Sequence, residues 1–407
     1  MPSSLTWVDH DPAARERSLR ILALFQEKES RDELGLGGIR DSFADQLFPG
    51  TSTIQTRLRY MLFVPWIYTH LEHQRMPLGE FAARADKMER NLVGPLLASD
   101  DKSGVFGVVA GKGLKRLPSS VYWAGLGAWG IRLVDFSQEE YHRQIGAIYR
   151  RRATQEARER ERARMGDDAE ATPDPGTLTW HPRLPSPPPD FPAKADFILN
   201  HEEASFLLDR LQHTHPDSLL GHLALHCYPS EVELPWLHPD RAGFREAHQE
   251  LLEHARRFSQ VMNGAALLYN LALSELRNWE EKIEEYRDRL KKWGEELDFA
   301  DLGNWSLTRL WELTEGQGHT ITLAARRFVS RWLELVGDSR GNLGEDEEAW
   351  NLVRQREKAL KKARSRFVNR RALEQWSGSS GLGRLVYRWP TAKTFLRDLH
   401  SGLQRGA

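Results

Sequence analysis

Apolar residues recur at intervals of three and four along most of this chain, so the pattern predicts a mainly α protein. Leu19, Ile21, Leu22, Leu24 and Phe25 form a stripe on a helix that opens at Asp11-Pro12 and stops at Gly35, Gly37 and Gly38. A short helix over 39–48 follows and closes at Pro49-Gly50. Thr51 or Ser52 then caps a long apolar helix over 53–73, which Pro65 is expected to kink or break. Residues 105–109 read as a short strand and 110–113 as a turn, and Pro118 opens a helix that ends at Gly130. That succession allows a winged-helix-like part within a multi-helical N-terminal domain.

The second half of the chain repeats the helical pattern. Helices are expected over 197–211 and 218–226, then a tract over 244–293 that is one helix or two broken near Asn263-Gly264. Further helices fall at 301–313 and 320–336, and the last long one covers the basic run 350–371. A short strand at 385–387 and a helix from Thr391 complete the pattern. Between the halves, a charged helix over 150–166 gives way to Pro173, Pro175, Pro182, Pro185, Pro187, Pro188, Pro189 and Pro192, which favour an extended conformation. The expected organisation is a helical domain over 1–150, a linker over 151–195, and a helical domain with few short strands over 196–407.

Charge sharpens this picture. The whole chain carries a net −1, but residues 196–350 carry −13 and residues 351–407 carry +11. Such segregation points to a polyanionic partner for the C-terminal part, or to docking of that part on the chain's own acidic middle. No apolar run reaches the roughly 18–20 residues of a membrane span, and the longest, 60–68, is interrupted by Pro65. The N-terminus lacks the order of a signal peptide. A single cysteine, Cys227, excludes an intramolecular disulfide and fits a reducing cytoplasm. The fourteen tryptophans are expected to be core or interface anchors.

Read as one helix, the run from Arg354 to Arg371 is amphipathic. Leu352, Val353, Ala359, Leu360, Ala363 and Phe367 share one side; Arg354, Lys358, Lys361, Lys362 and Arg366 share the other. Arg356, Arg364, Arg370 and Arg371 lie nearer the border, of which Arg370 and Arg371 join the five as candidates, and Arg384 and Arg388 follow beyond the run. These nine cations are the candidate nucleic-acid-binding residues, with DNA favoured over RNA; the alternative is a patch facing 275–300. Thr51, Ser52, Thr53, Arg57 and Arg59 form a candidate anion site at a helix start, or a plain cap whose arginines pair with Asp41 or Asp45. His213, His215, His222, His226 and Cys227 lie close in sequence, and His222 and His226 share a helix face. No glutamate follows His222, however, so the metalloprotease motif is missing, and neither a metal nor any other cofactor is expected. The Gly378–Gly381 loop is a phosphate cradle or a connecting turn. No nucleophile elbow, phosphate-binding loop or nuclease pattern is present, so the chain is expected not to be an enzyme. The remaining catalytic reading is a cryptic metal-dependent nuclease.

Three segments carry a resemblance: IRDSFADQLFPGTSTIQTRLRYMLFVPWIY (39–68), LKRLPSSVYWAGLGAWGI (114–131) and RALEQWSGSSGLGRLVYRWP (371–390). They resemble an uncharacterised bacterial family, a domain of unknown function whose members are about this length. The family implies no catalytic residue. Its genomic setting, beside helicase and phospholipase-D-like genes in phage-defence clusters, implies a non-enzymatic subunit of an antiviral complex that works with a DNA-processing partner. The other reading is a protein–protein scaffold that touches no nucleic acid.

Overall fold

The computed structural model describes residues 32–77, 79–108, 114, 116–164, 178–226, 230–315 and 318–406. The expected helix opening at Pro12, the turn over 110–113, Cys227, Pro173 and Pro175 lie outside them. The protein is mainly α, as the periodicity predicts. Among the described residues there is no strand, only an isolated antiparallel bridge between Arg132 and Trp180. Residues 105–108 are largely turn rather than the expected strand. The expected strand over 385–387 fails for a backbone reason. Tyr387 and Arg388 take φ of 49° and 68°, left-handed values that end an extended run.

The chain divides into two compact units, Met1–Phe43 with Glu250–Leu385 (unit I) and Ala44–Gln249 with Val386–Ala407 (unit II). The divisions do not fall in the 151–195 segment expected as a linker.

After α1 (Gly37–Leu47) the chain enters unit II, whose centre is α2 (Tyr60–His73). Every residue from Tyr60 to Tyr68 is buried, because a helix apolar on all faces has to be surrounded. α2 starts later than expected, since residues 51–59 form turns, and it runs on through Pro65. Around it lie α3 (Phe81–Asn91), α4 (Val93–Ala98), α5 (Pro118–Ala128) and the long α6 (Gln138–Arg164). α5 can approach closely because residue 125 is glycine; a Cβ there would collide with the Gly50 carbonyl. The proline-rich stretch packs against α2. Trp66 Nε1 donates to the Pro185 carbonyl at 2.7 Å, and the Phe191 ring stacks on Phe63 at 5.7 Å. Thus residues 180–191 form a strap over an aromatic face, irregular over 184–188 and turned at 181–184 and 188–191. α7 (His201–Thr214) and α8 (Leu219–His226) complete this stretch, and Asn200 caps α7 with a capping box to Glu203.

Unit I is built on α9 (Glu246–Leu276), one continuous helix. Of the two readings of the 244–293 tract, the break near Gly264 is not found; the tract divides at 277–279, and Gly264 is a docking notch. The Trp293 ring of α10 (Glu280–Glu295) lies where a Cβ would sit. Trp293 Nε1 donates to the Gln260 carbonyl at 2.8 Å, and Trp332 Nε1 donates to the Val261 carbonyl at 2.9 Å. These anchors satisfy the indole N–H groups while burying the rings. The remaining helices are α11 (Phe299–Gly303), α12 (Leu307–Glu315), α13 (Leu323–Asp338), α14 (Glu347–Lys361) and α15 (Arg370–Glu374). α13 packs on α14.

The last helix, α16 (Trp389–Leu403), returns to unit II and packs on α7 and α8. Asp398 is its key residue. Its carboxylate takes Arg57 Nε and Nη2 at 3.0 Å each and the Leu58 N–H at 3.0 Å. The two side chains are only 3% and 10% exposed. Removing one member of a buried pair strands the other, which costs about 3–5 kcal/mol. Asp398→Ala is therefore expected to lower unfolding stability by about that amount in urea titration, whereas Arg370→Ala, at an exposed pair, leaves the midpoint unchanged.

Candidate nucleic-acid interface

The basic run does not form one helix. α14 stops at Lys361, and Lys362 turns away with φ of 50°. Neither glycine nor proline ends it. The cause is Glu357, the one acid within 354–371, which is fully buried. Its carboxylate accepts the Ser365 hydroxyl and, at 2.9 Å, the Arg366 N–H. Those bonds fold 362–369 back on the helix end. Phe367 leaves the predicted apolar stripe and meets Tyr269 edge-on at 5.8 Å.

The predicted cation face is thereby divided. Lys361 is buried against Glu33, and Arg366 bonds Glu33 at 2.9 Å and the Tyr269 hydroxyl at 2.7 Å. Burial, then Arg366, pushes the Lys361 ammonium down to about 8, against the opposing charge of Asp32; Glu33 is its ion-pair partner. Arg354 lies over the Trp350 ring at 5.0 Å. Lys358 is half-buried; Lys362, Arg364 and Arg371 are exposed. Among the described residues these last four have no ion-pair partner. Arg370 pairs with Glu374 at 2.9 Å and Arg384 with Glu296 at 3.1 Å, both in solvent. Arg388 belongs to unit II and bonds Asp45 at 2.5 Å and the Thr51 carbonyl at 2.9 Å. Thus Arg354 and Lys358 on α14, Lys361 to Arg366 at its end, and Arg370 and Arg371 on α15 form a corner of unit I rather than a row. At that corner Lys361, Arg364, Arg366, Ala372 and Gln375 line a concavity of about 300 Å³ with no carboxylate in its wall. Gln375 and Glu33 join the site from structure alone, and Arg364 moves into it from the border of the predicted helix; the isolation of Glu357 among cations is the signal a sequence reader can use.

The candidate anion site around Thr51 is not at a helix start. The Thr51 hydroxyl donates to the Phe48 carbonyl at 2.5 Å, Ser52 N–H to Gln55 at 2.8 Å, and Thr53 is exposed in a turn. Arg57 is held by Asp398 and Asp101, and Arg59 by Asp196 and Glu203 at 2.6 and 2.7 Å. The arginines do pair with carboxylates, but not with Asp41 or Asp45. The Gly378–Gly381 loop has its backbone occupied as well. Ser380 N–H donates to Asn270 at 2.8 Å, and its carbonyl accepts from Asn270 at 2.7 Å.

A family model matches residues 2–145 and 165–402. The chain belongs to DUF6361, a family of unknown function. No curated protein and no solved structure matches it.

In this DUF6361 chain the sequence-close histidines do not converge as a group. His215 Nε2 bonds the Ala128 carbonyl at 2.9 Å. The His222 ring lies 5.0 Å from His226 and 5.6 Å from His248, a neighbour the sequence does not announce. Among the described residues no group of three or more His, Cys, Asp or Glu is placed to hold a metal ion. Burial is the leading cause that lowers the pKa of His142, His181, His215, His222, His238, His248, His254 and His400; at His222 the neighbours His248 and His226 add to it. The unfolded chain then binds more protons near pH 6, so these groups favour folding above their ordinary 6.5 and lose that contribution as pH falls. Buried Glu89, raised to about 7 chiefly by desolvation, acts in the opposite direction between its ordinary 4.5 and 7. Eight histidines stand against one carboxylate, so the histidine direction is the expected net one. The thermal midpoint is expected to fall on going from pH 7.5 to 5.5, measured by circular dichroism; a midpoint that rises contradicts the assignment.

Proposed function

We propose that this protein is a non-enzymatic, nucleic-acid-binding subunit that grips phosphates with the basic corner of unit I. The observation that carries the reading is that Lys358, Lys362, Arg364 and Arg371 lack ion-pair partners among the described residues, beside a carboxylate-free concavity. Unpaired cations on a protein surface are the electrostatic footprint of phosphate binding, which is sequence-independent and salt-sensitive. Cations that meet phosphate rather than base edges contribute affinity, not sequence choice. The setting proposed for it is a cytoplasmic antiviral complex with a helicase or phospholipase-D-like nuclease as partner, supported by the three resembling segments. Among the described residues no helix is long and apolar enough to cross a membrane. A scaffold reading draws on a different observation: Arg384 is already neutralised by Glu296, a residue of the acidic middle.

The triple variant Lys362→Glu, Arg364→Glu, Arg371→Glu is expected to weaken binding of a fluorescent DNA oligonucleotide roughly tenfold or more at about 50 mM salt. Lys87→Glu, an exposed cation of unit II, leaves affinity unchanged. Fluorescence anisotropy reads both. No binding by the parent chain, with nuclease-resistant co-purification of its partners, favours the scaffold instead.

A further inference from the structure

We propose that the concavity at the α14–α15 corner holds the terminal phosphomonoester of a nucleic-acid strand, so that the protein binds strand ends in preference to strand interiors. This rests on the phosphate-binding reading above and goes beyond it by naming the group that is bound. The warrant is size and donors. A continuous backbone needs an open groove with cations spaced along it. Here three cations, Lys361, Arg364 and Arg366, meet with the Gln375 amide around one space of about 300 Å³. Glu33, shared by Lys361 and Arg366, lines a different cavity and not this one. Glu33 and the buried Glu357 offset part of that charge, so the match rests on donors: several cationic groups and an amide converge on one space, and the ligand has to offer several acceptor oxygens to meet them. A diester phosphate in a strand carries one negative charge, whereas a phosphomonoester carries about −1.5 to −2 at neutral pH and offers three acceptor oxygens. The match is therefore to an end.

The architecture keeps those cations in place without a ligand. The Glu357 carboxylate fixes Ser365 and the Arg366 backbone, and the Tyr269 hydroxyl and Glu33 fix the Arg366 side chain. Arg364 stands exposed on the same turn, able to close on the phosphate with its forked donors. Gln375 contributes the one uncharged polar group of the wall, which makes it the useful position to change. A carboxylate there repels a phosphate within the concavity but removes none of the surrounding cations.

The test measures affinity of the full chain for one oligonucleotide prepared with a 5′-phosphate, with a 3′-phosphate, with hydroxyl ends, and as a closed circle. At least one phosphorylated end is expected to bind about tenfold tighter than the hydroxyl-ended and circular forms. Gln375→Glu erases that difference while hydroxyl-ended binding persists, and inorganic phosphate in solution erases it likewise. Equal affinity for all four forms overturns the end-binding proposal and leaves the phosphate grip standing. Absence of binding to any form overturns both. A preference for phosphorylated ends that survives Gln375→Glu unchanged also overturns the assignment to this concavity.

Discussion

A carboxylate taken out of water has to be met by donors, and this fold closes on that constraint in both units. Asp398 and Glu203 of unit II take Arg57 and Arg59 from the turn before α2, joining residues far apart in the chain. Glu72 in the same unit accepts from Tyr141, Thr179, Trp180 and Arg152. In unit I, Glu33 gathers Lys361 and Arg366, and Glu357 gathers the turn between them. The same constraint sorts the basic end. Lys361 and Arg366 are held in place by the buried Glu33, while Lys362, Arg364 and Arg371 face solvent.

That sorting explains what a linear reading captures and what it misses. The apolar run from Tyr60 to Tyr68 announces a surrounded helix, and α2 is one. The long tract around α9 is equally legible. Gly264 misleads because a helix-breaking residue and a notch for an indole look alike in sequence; only Trp293, from the next helix, decides between them. The prolines between 182 and 192 signal a stretch without helix or strand, but not its turns at 181–184 and 188–191 nor that Trp66 and Phe63 hold it as a strap. At the site the loss is sharper. Lys361 and Lys362 are adjacent and chemically equal, yet one is buried on Glu33 and the other exposed, because α14 ends between them. Nothing local marks that end. It comes from Glu357 reaching Ser365 and Arg366 beyond the helix.

On the proposed reading, the consequence is a grip of limited extent. A face of five cations on one helix would track several phosphates, whereas the corner offers a few exposed cations around one concavity. Such a surface binds weakly alone and gains by acting beside a partner that supplies the rest of the contact, since a second linked site raises effective concentration. Rigidity compensates in part: the turn is ordered by buried bonds before any phosphate arrives, so little is lost in ordering it on binding.

The central claim is that a small set of corner cations contacts phosphates, and counterion release counts them. Affinity of the intact chain for single-stranded DNA, measured from about 50 to 200 mM salt, gives a slope of log K against log salt of about −0.7 per phosphate. Three or four contacts predict a slope of roughly −2 to −3. A slope near zero contradicts the account, because binding without counterion release is not a phosphate grip.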